Sequence, residues 1–203
     1  LGGVVVASAV WAGALFATGG FDSSEPEPVL GYRFEKDLCK TTELKAFDER
    51  YDVADSADDA TGWGSRQEGL DQSFCSWSLT DREDDPDSYS SSYVSASAMW
   101  HEATDPAGEF APTYKGFEDR STEDYEYVTE SVGGFGDEAY LVKENGEDDS
   151  SRSMSLAVRD GWFTYEMDWN YYGGTDSADP PSADEVERML KDETKAALAE
   201  LKK

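Results

Sequence analysis

Two cysteines, one histidine and an abundance of carboxylates are the groups through which chemistry can run in this 203-residue sequence. Cys39 and Cys75 stand 36 positions apart. In an exported chain an even pair reads first as a disulfide, and closing that loop stabilises a fold by roughly 3–4 kcal/mol in the chain-entropy model. The alternatives are two buried thiols or a zinc site, and two cysteines with the single His101 supply too few soft ligands for zinc. His101 is also the only base available to a Ser-His-Asp arrangement. It follows Trp100 at a strand end, and no Gly-x-Ser-x-Gly elbow occurs in the sequence, so a strand-edge histidine is the simpler reading.

The acidic clusters invite calcium, but the spacing fails. Starting a binding loop at Asp81 puts Glu83 and Asp85 at the third and fifth places, yet Pro86 falls where glycine is required and Ser92 where a bidentate Glu is required. The carboxylates of 144–149 lack the required alternation too. Gly133, Gly134 and Gly136 could cradle a phosphate, but no Lys-Ser/Thr follows them, and a turn feeding a strand accounts for them better. Paired carboxylates suited to glycoside hydrolysis arise by chance among 45 acidic residues, so proximity alone carries no weight. No catalytic residue, cofactor site or metal site is expected.

Aromatic rings give the one candidate surface. Six Trp, 11 Tyr and 9 Phe are many for this length. Trp162, Trp169, Tyr171 and Tyr172 are expected to cluster at a sheet end, where rings stack on sugars or anchor a protein partner. Filling the core is the competing role for most of the rings, Phe163, Tyr165 and Trp77 included.

The elements that must position these groups are legible in outline. Thr41 or Thr42 caps a predicted helix over 43–51 with Leu44, Phe47 and Tyr51 on one face, and the polar stretch 52–69 reads as a loop holding Trp63 against the body. Alternation over 74–79 directs Cys75, Trp77 and Leu79 to the core side of a strand, which is followed by a charged turn at 81–87 and a second strand over 89–101. A short helix near 108–117 and strands near 125–132 and 139–143 come next. Asp160-Gly161 is a preferred two-residue hairpin turn, which pairs Val158 with Phe163, Leu156 with Tyr165 and Met154 with Met167 on a buried face. The opposite face, carrying Ser155, Ala157, Thr164, Glu166 and Asp168, is expected to be wet. A last helix has a capping box of Ser182 and Glu185 and an apolar stripe of Val186, Leu190, Ala197 and Leu201, with Lys202 and Lys203 at its negative end.

Charge and hydropathy divide the chain. Residues 1–21 hold no charged side chain, whereas the remainder carries all 17 basic and 45 acidic residues. Twenty residues rising about 1.5 Å each span roughly 30 Å, the thickness of a bilayer core, so a retained transmembrane anchor is preferred over a signal segment cleaved near Ala17. Without a leading Met, the chain reads as starting within or just before that span. Residues 22–29 form an acidic Ser/Pro linker and 30–203 a single extracytoplasmic domain. A formal charge of −28 excludes nucleic acid as a default partner, because phosphate binding needs clustered Lys and Arg.

The order of motifs supports a family resemblance. A helix bearing Cys39, then Cys75-Ser76-Trp77 on a strand, then Gly134 to Ala139 reading Gly-Phe-Gly-Asp-Glu-Ala, then the Val-Arg-Asp-Gly hairpin and an Ala/Leu helix resemble a family of actinobacterial cell-envelope lipoproteins of unknown function. The likeness covers residues 31–203. It implies an α+β fold of the Mog1/PsbP-like kind, a curved antiparallel sheet packed against flanking helices, and brings no catalytic residues. No cysteine follows the apolar segment, so a peptide anchor replaces the lipid. The expectation is a membrane-anchored or secreted, non-catalytic accessory or binding domain of the cell envelope, with an envelope protein or glycan as partner. The alternative is a carbohydrate-active hydrolase or carbohydrate-binding module acting on cell-wall glycans.

Overall fold

The computed structural model describes residues 29–53, 60–82, 90–146, 151–173 and 180–203. The expected anchor at 1–21, and the linker save Val29, lie outside the described residues. Among the described residues no helix is long and apolar enough to cross a membrane.

The fold is α+β, an eight-stranded antiparallel sheet with two helices. The strands are β1 (Tyr51–Val53), β2 (Ala60–Gln67), β3 (Leu70–Asp81), β4 (Ser91–His101), β5 (Tyr125–Ser131), β6 (Glu138–Gly146), β7 (Ser151–Asp160) and β8 (Phe163–Tyr172). Their order is β1-β3-β4-β8-β7-β6-β5, with β2 beside β1 on the outer side of β3. Helix α1 is Ala107–Lys115 and helix α2 is Ala183–Leu201.

One face of the sheet is the main core. Cys75, Trp77 and Leu79 of β3, Val94, Ala96 and Ala98 of β4, Leu156 and Val158 of β7, and Tyr165, Met167 and Trp169 of β8 all point there, as period-two alternation requires. Helix α2 covers this face with Val186, Met189, Leu190, Ala197 and Leu201. Its start is fixed as expected: the Ser182 hydroxyl accepts a hydrogen bond from the Glu185 amide at 3.3 Å.

The segment before β1 differs from expectation. Residues 38–40 form a single 3-10 turn and 45–50 a run of turns in place of an α-helix. Leu44 adopts φ 52°, which ends any right-handed helix there. Its amide and that of Ala46 donate instead to the Glu193 carboxylate of α2, at 2.9 and 3.1 Å. Leu44, Phe47 and Tyr51 are nevertheless fully buried, so the expected apolar face survives without its helix.

Residues 60–67, expected to be loop, are the edge strand β2. A Cβ on Gly62 would lie 2.6 Å from Cys39 Sγ, and one on Gly64 would collide with the Lys36 carbonyl. Both glycines thus let the segment carrying Cys39 cross the strand at backbone contact.

The hairpin register also shifts. Asp160 pairs with Phe163, Val158 with Tyr165 and Leu156 with Met167, so the two-residue loop is Gly161-Trp162. Gly161 takes φ 62°, the positive value a tight hairpin needs at its first loop position. A shift by two residues preserves which side chains share a face.

Candidate functional site

The second face of the sheet is polar along its centre. In β8 the side chains of Thr164, Glu166 and Asp168 alternate with the core residues Tyr165, Met167 and Trp169. The register sets Ser97 and Ala157 on either side of Glu166, and Ser95 and Ser155 on either side of Asp168. The Ser155 hydroxyl donates to Asp168 at 2.5 Å and that of Ser95 at 3.4 Å.

This face is not simply wet, contrary to the alternation argument. Helix α1 lies on it, burying Phe110 and Tyr114 in a second cluster with Tyr140, Val142 and the fully buried Ala157. The stacked rings of Tyr114 and Tyr140, 6.2 Å apart, fasten the helix to β6, and the Tyr114 hydroxyl donates to Glu166 at 3.2 Å. The Thr129 hydroxyl holds the end of the helix through the Tyr114 carbonyl at 3.1 Å.

Two half-buried carboxyl groups are thereby brought together beneath the helix. Burial, and then the charge of Asp168, push Glu166 up to about 8, against the weaker opposing effect of the Tyr114 hydroxyl. Asp168 is raised as well, by burial, despite its two serine donors. Two bases of the flanking elements are engaged elsewhere: Arg159 of β7 pairs with Asp137 at 3.1 Å, and Lys115 of α1 lies 5.4 Å over the ring of Tyr140.

Beside Glu166 is a cavity of about 300 Å³ between α1 and the sheet. Met99, Phe110 and Tyr114 give it apolar walls, Glu166 a carboxyl, and Glu109 and Thr113 an exposed rim. His101 lines the same cavity, with Nε2 3.3 Å from the Thr164 hydroxyl. Burial holds the imidazole below its ordinary range, against the nearby Asp105 and Glu109. The expected strand-end histidine is therefore a cavity residue. The arrangement can hold a proton on Glu166 or exchange it for a cation.

Cys39 and Cys75 form the disulfide, joining the 3-10 turn to β3. The four aromatic residues expected at a surface are not one surface. Trp169 and Tyr171 are buried because odd positions of β8 face α2, Trp162 is buried in the hairpin loop, and Trp169 donates its indole N–H to the Tyr51 hydroxyl at 3.1 Å; of the four, Tyr172 alone is exposed. Among the described residues the exposed tryptophan is Trp63 on β2, its ring stacked on Phe74 at 6.0 Å.

Of the rejected calcium loops, Asp81 pairs with Arg50 at 2.8 Å, while 83–89 and 147–150 lie outside the described residues. Among the described residues no group of three or more His, Cys, Asp or Glu is disposed to hold a metal ion. The glycine turn also serves structure. Asp137 within it accepts from the Gly161 amide at 3.0 Å, and Phe135 is buried beneath Lys195.

Sequence reasoning missed the Glu166 and Asp168 pair as a site. Their common face was legible, but the cover was not, because Phe110 and Tyr114 form too short an apolar stripe to announce where their helix docks. The chain matches no protein-family model and no curated protein.

Proposed function

We propose that this protein is a non-catalytic binding or accessory domain on the outer side of a cytoplasmic membrane, tethered by its N-terminal apolar segment or released after cleavage. The observation that carries the reading is the Cys39–Cys75 disulfide, since such bonds persist in oxidising compartments. The charge of −28 agrees with a solvated domain that avoids nucleic acid and anionic headgroups. Likeness to envelope lipoproteins of the Mog1/PsbP-like kind supports the same placement. Binding is favoured over turnover because the half-buried carboxyls stand side by side on one strand beneath a helix rather than opposite each other across an open cleft.

Thiol labelling in intact cells tests the placement. With the full chain expressed, maleimide is expected to leave both cysteines unlabelled until a reductant is added, and protease supplied from outside is expected to degrade the domain. An intact, cytosolic protein with two reactive thiols overturns the reading.

A glycan-binding reading draws on Trp63, which is 50% exposed and stacked on Phe74. A tryptophan face of this kind suits sugar stacking.

A further inference from the structure

We propose that the cavity between α1 and the sheet binds a small organic cation, an ammonium group on a short apolar body, with the Glu166 carboxylate as its counter-ion. The assignment deepens the binding reading above by naming a ligand class.

Four features argue for it. The cavity, about 300 Å³, lies at the lower end of the range for small-molecule sites and suits a ligand of a few heavy atoms. Its walls are ring and thioether surface from Phe110, Tyr114 and Met99, which suits an alkyl body and places π-faces beside a positive head. Its acids, Glu166 within and Glu109 at the rim, face no Lys or Arg among the lining residues, so a cationic ligand is what would balance Glu166 once it ionises. The same donor set disfavours a metal ion, since no group of three ligands occurs among the described residues.

The groups around Glu166 determine how pH acts. Asp168 neighbours it on β8, Tyr114 donates to it from α1, Glu109 and His101 line the cavity, and the charge of Asp105 acts on His101. Arg159 of β7 is engaged by Asp137 and Glu138, and Lys115 of α1 by the Tyr140 ring. Asp168 itself does not line the cavity; it acts as a positioning residue, opposing ionisation of its neighbour. In the empty protein Glu166 keeps its proton at neutral pH. An entering ammonium makes the carboxylate the favoured form, so the proton leaves to solvent as the cation arrives. Affinity then rises with pH, about tenfold per unit below the Glu166 pKa, and levels off above it.

Titration calorimetry of the full chain in non-ionic detergent, with n-butylammonium chloride at constant ionic strength, tests this. One saturable site is expected. In buffers of differing ionisation enthalpy at pH 6.5 it should release close to one proton, and its Kd should fall about tenfold per unit from pH 6 to 7.5. E166Q is expected to abolish both binding and proton release. Should E166Q fail to fold, S97L provides the second arm: it fills the cavity, leaves the carboxyl in place and is expected to abolish binding, and with it the proton release, while the pH dependence of stability that Glu166 confers remains. Absence of saturation between pH 6 and 9, undiminished binding by E166Q or S97L, or equal saturation by calcium chloride with the same proton release overturns the assignment. None of these outcomes bears on the thiol-labelling test, so the two readings fail separately.

Discussion

Glu166 couples stability to pH at the level of a single side chain. An unfolded glutamate releases its proton near 4.5, whereas the folded one retains it to about 8. Between those values the native state binds more protons than the unfolded state, so stability falls as pH rises through that window and is complete below it. Asp168 and Glu193 are shifted in the same direction. His101, lowered by burial, acts oppositely, its contribution being lost as pH falls below its ordinary 6.5. Urea denaturation midpoints are therefore expected to decline from pH 5 to pH 8. In E166Q, which mimics the protonated acid, the decline should shrink by up to about 1.4 kcal/mol per pH unit. The alternation of Thr164, Glu166 and Asp168 against Tyr165, Met167 and Trp169 was legible in the sequence. The raised affinity for protons was not, because it depends on α1, whose resting place is decided by Tyr140, Val142 and Ala157 on distant strands.

Among the elements, the turn at 42–46 depends most on a distant partner. Two of its amides have their acceptor in Glu193, whose carboxyl is raised by burial while those same amides oppose the rise. E193A strands both donors and is expected to cost about 2–4 kcal/mol, with faster hydrogen exchange at Leu44 and Ala46 as the local readout. This contact also explains why helical spacing misled over 43–51. Leu44, Phe47 and Tyr51 repeat as a buried stripe does, but no local signal reveals that α2 supplies the acceptors a helix would have supplied. Strand β2 was obscured for a different reason. An edge strand with Thr61, Gly62, Gly64 and Ser65 carries little alternation, and its glycines are explained only by the crossing segment. Strands β3, β4, β7 and β8 and helix α2 were legible because each has one apolar face long enough to count.

Across the whole molecule, the disulfide divides the chain into a closed loop and a long remainder. The loop contains β1, β2 and the turns that bury Leu44 and Phe47, while β4 to β8 lie beyond it. Replacing Cys39 and Cys75 with Ser is expected to lower the unfolding free energy by about 3–4 kcal/mol, read from urea melts by tryptophan fluorescence. A net charge of −28 works in the same direction, since mutual repulsion opposes any compact state.

The two ends of the described chain are joined at one edge of the structure. The Arg33 amide donates to the Leu201 carbonyl at 3.0 Å, and Asp160 accepts from both the Tyr32 hydroxyl at 2.9 Å and the Lys202 ammonium at 2.8 Å. Mechanical load entering at residue 29 meets this knot first, and behind it, nine residues after Leu30, a covalent stop at Cys39. Force can strip that short segment from its non-covalent contacts, but the sulfur–sulfur bond to β3 then holds, so the segment lengthens by no more than its own few residues before it stiffens.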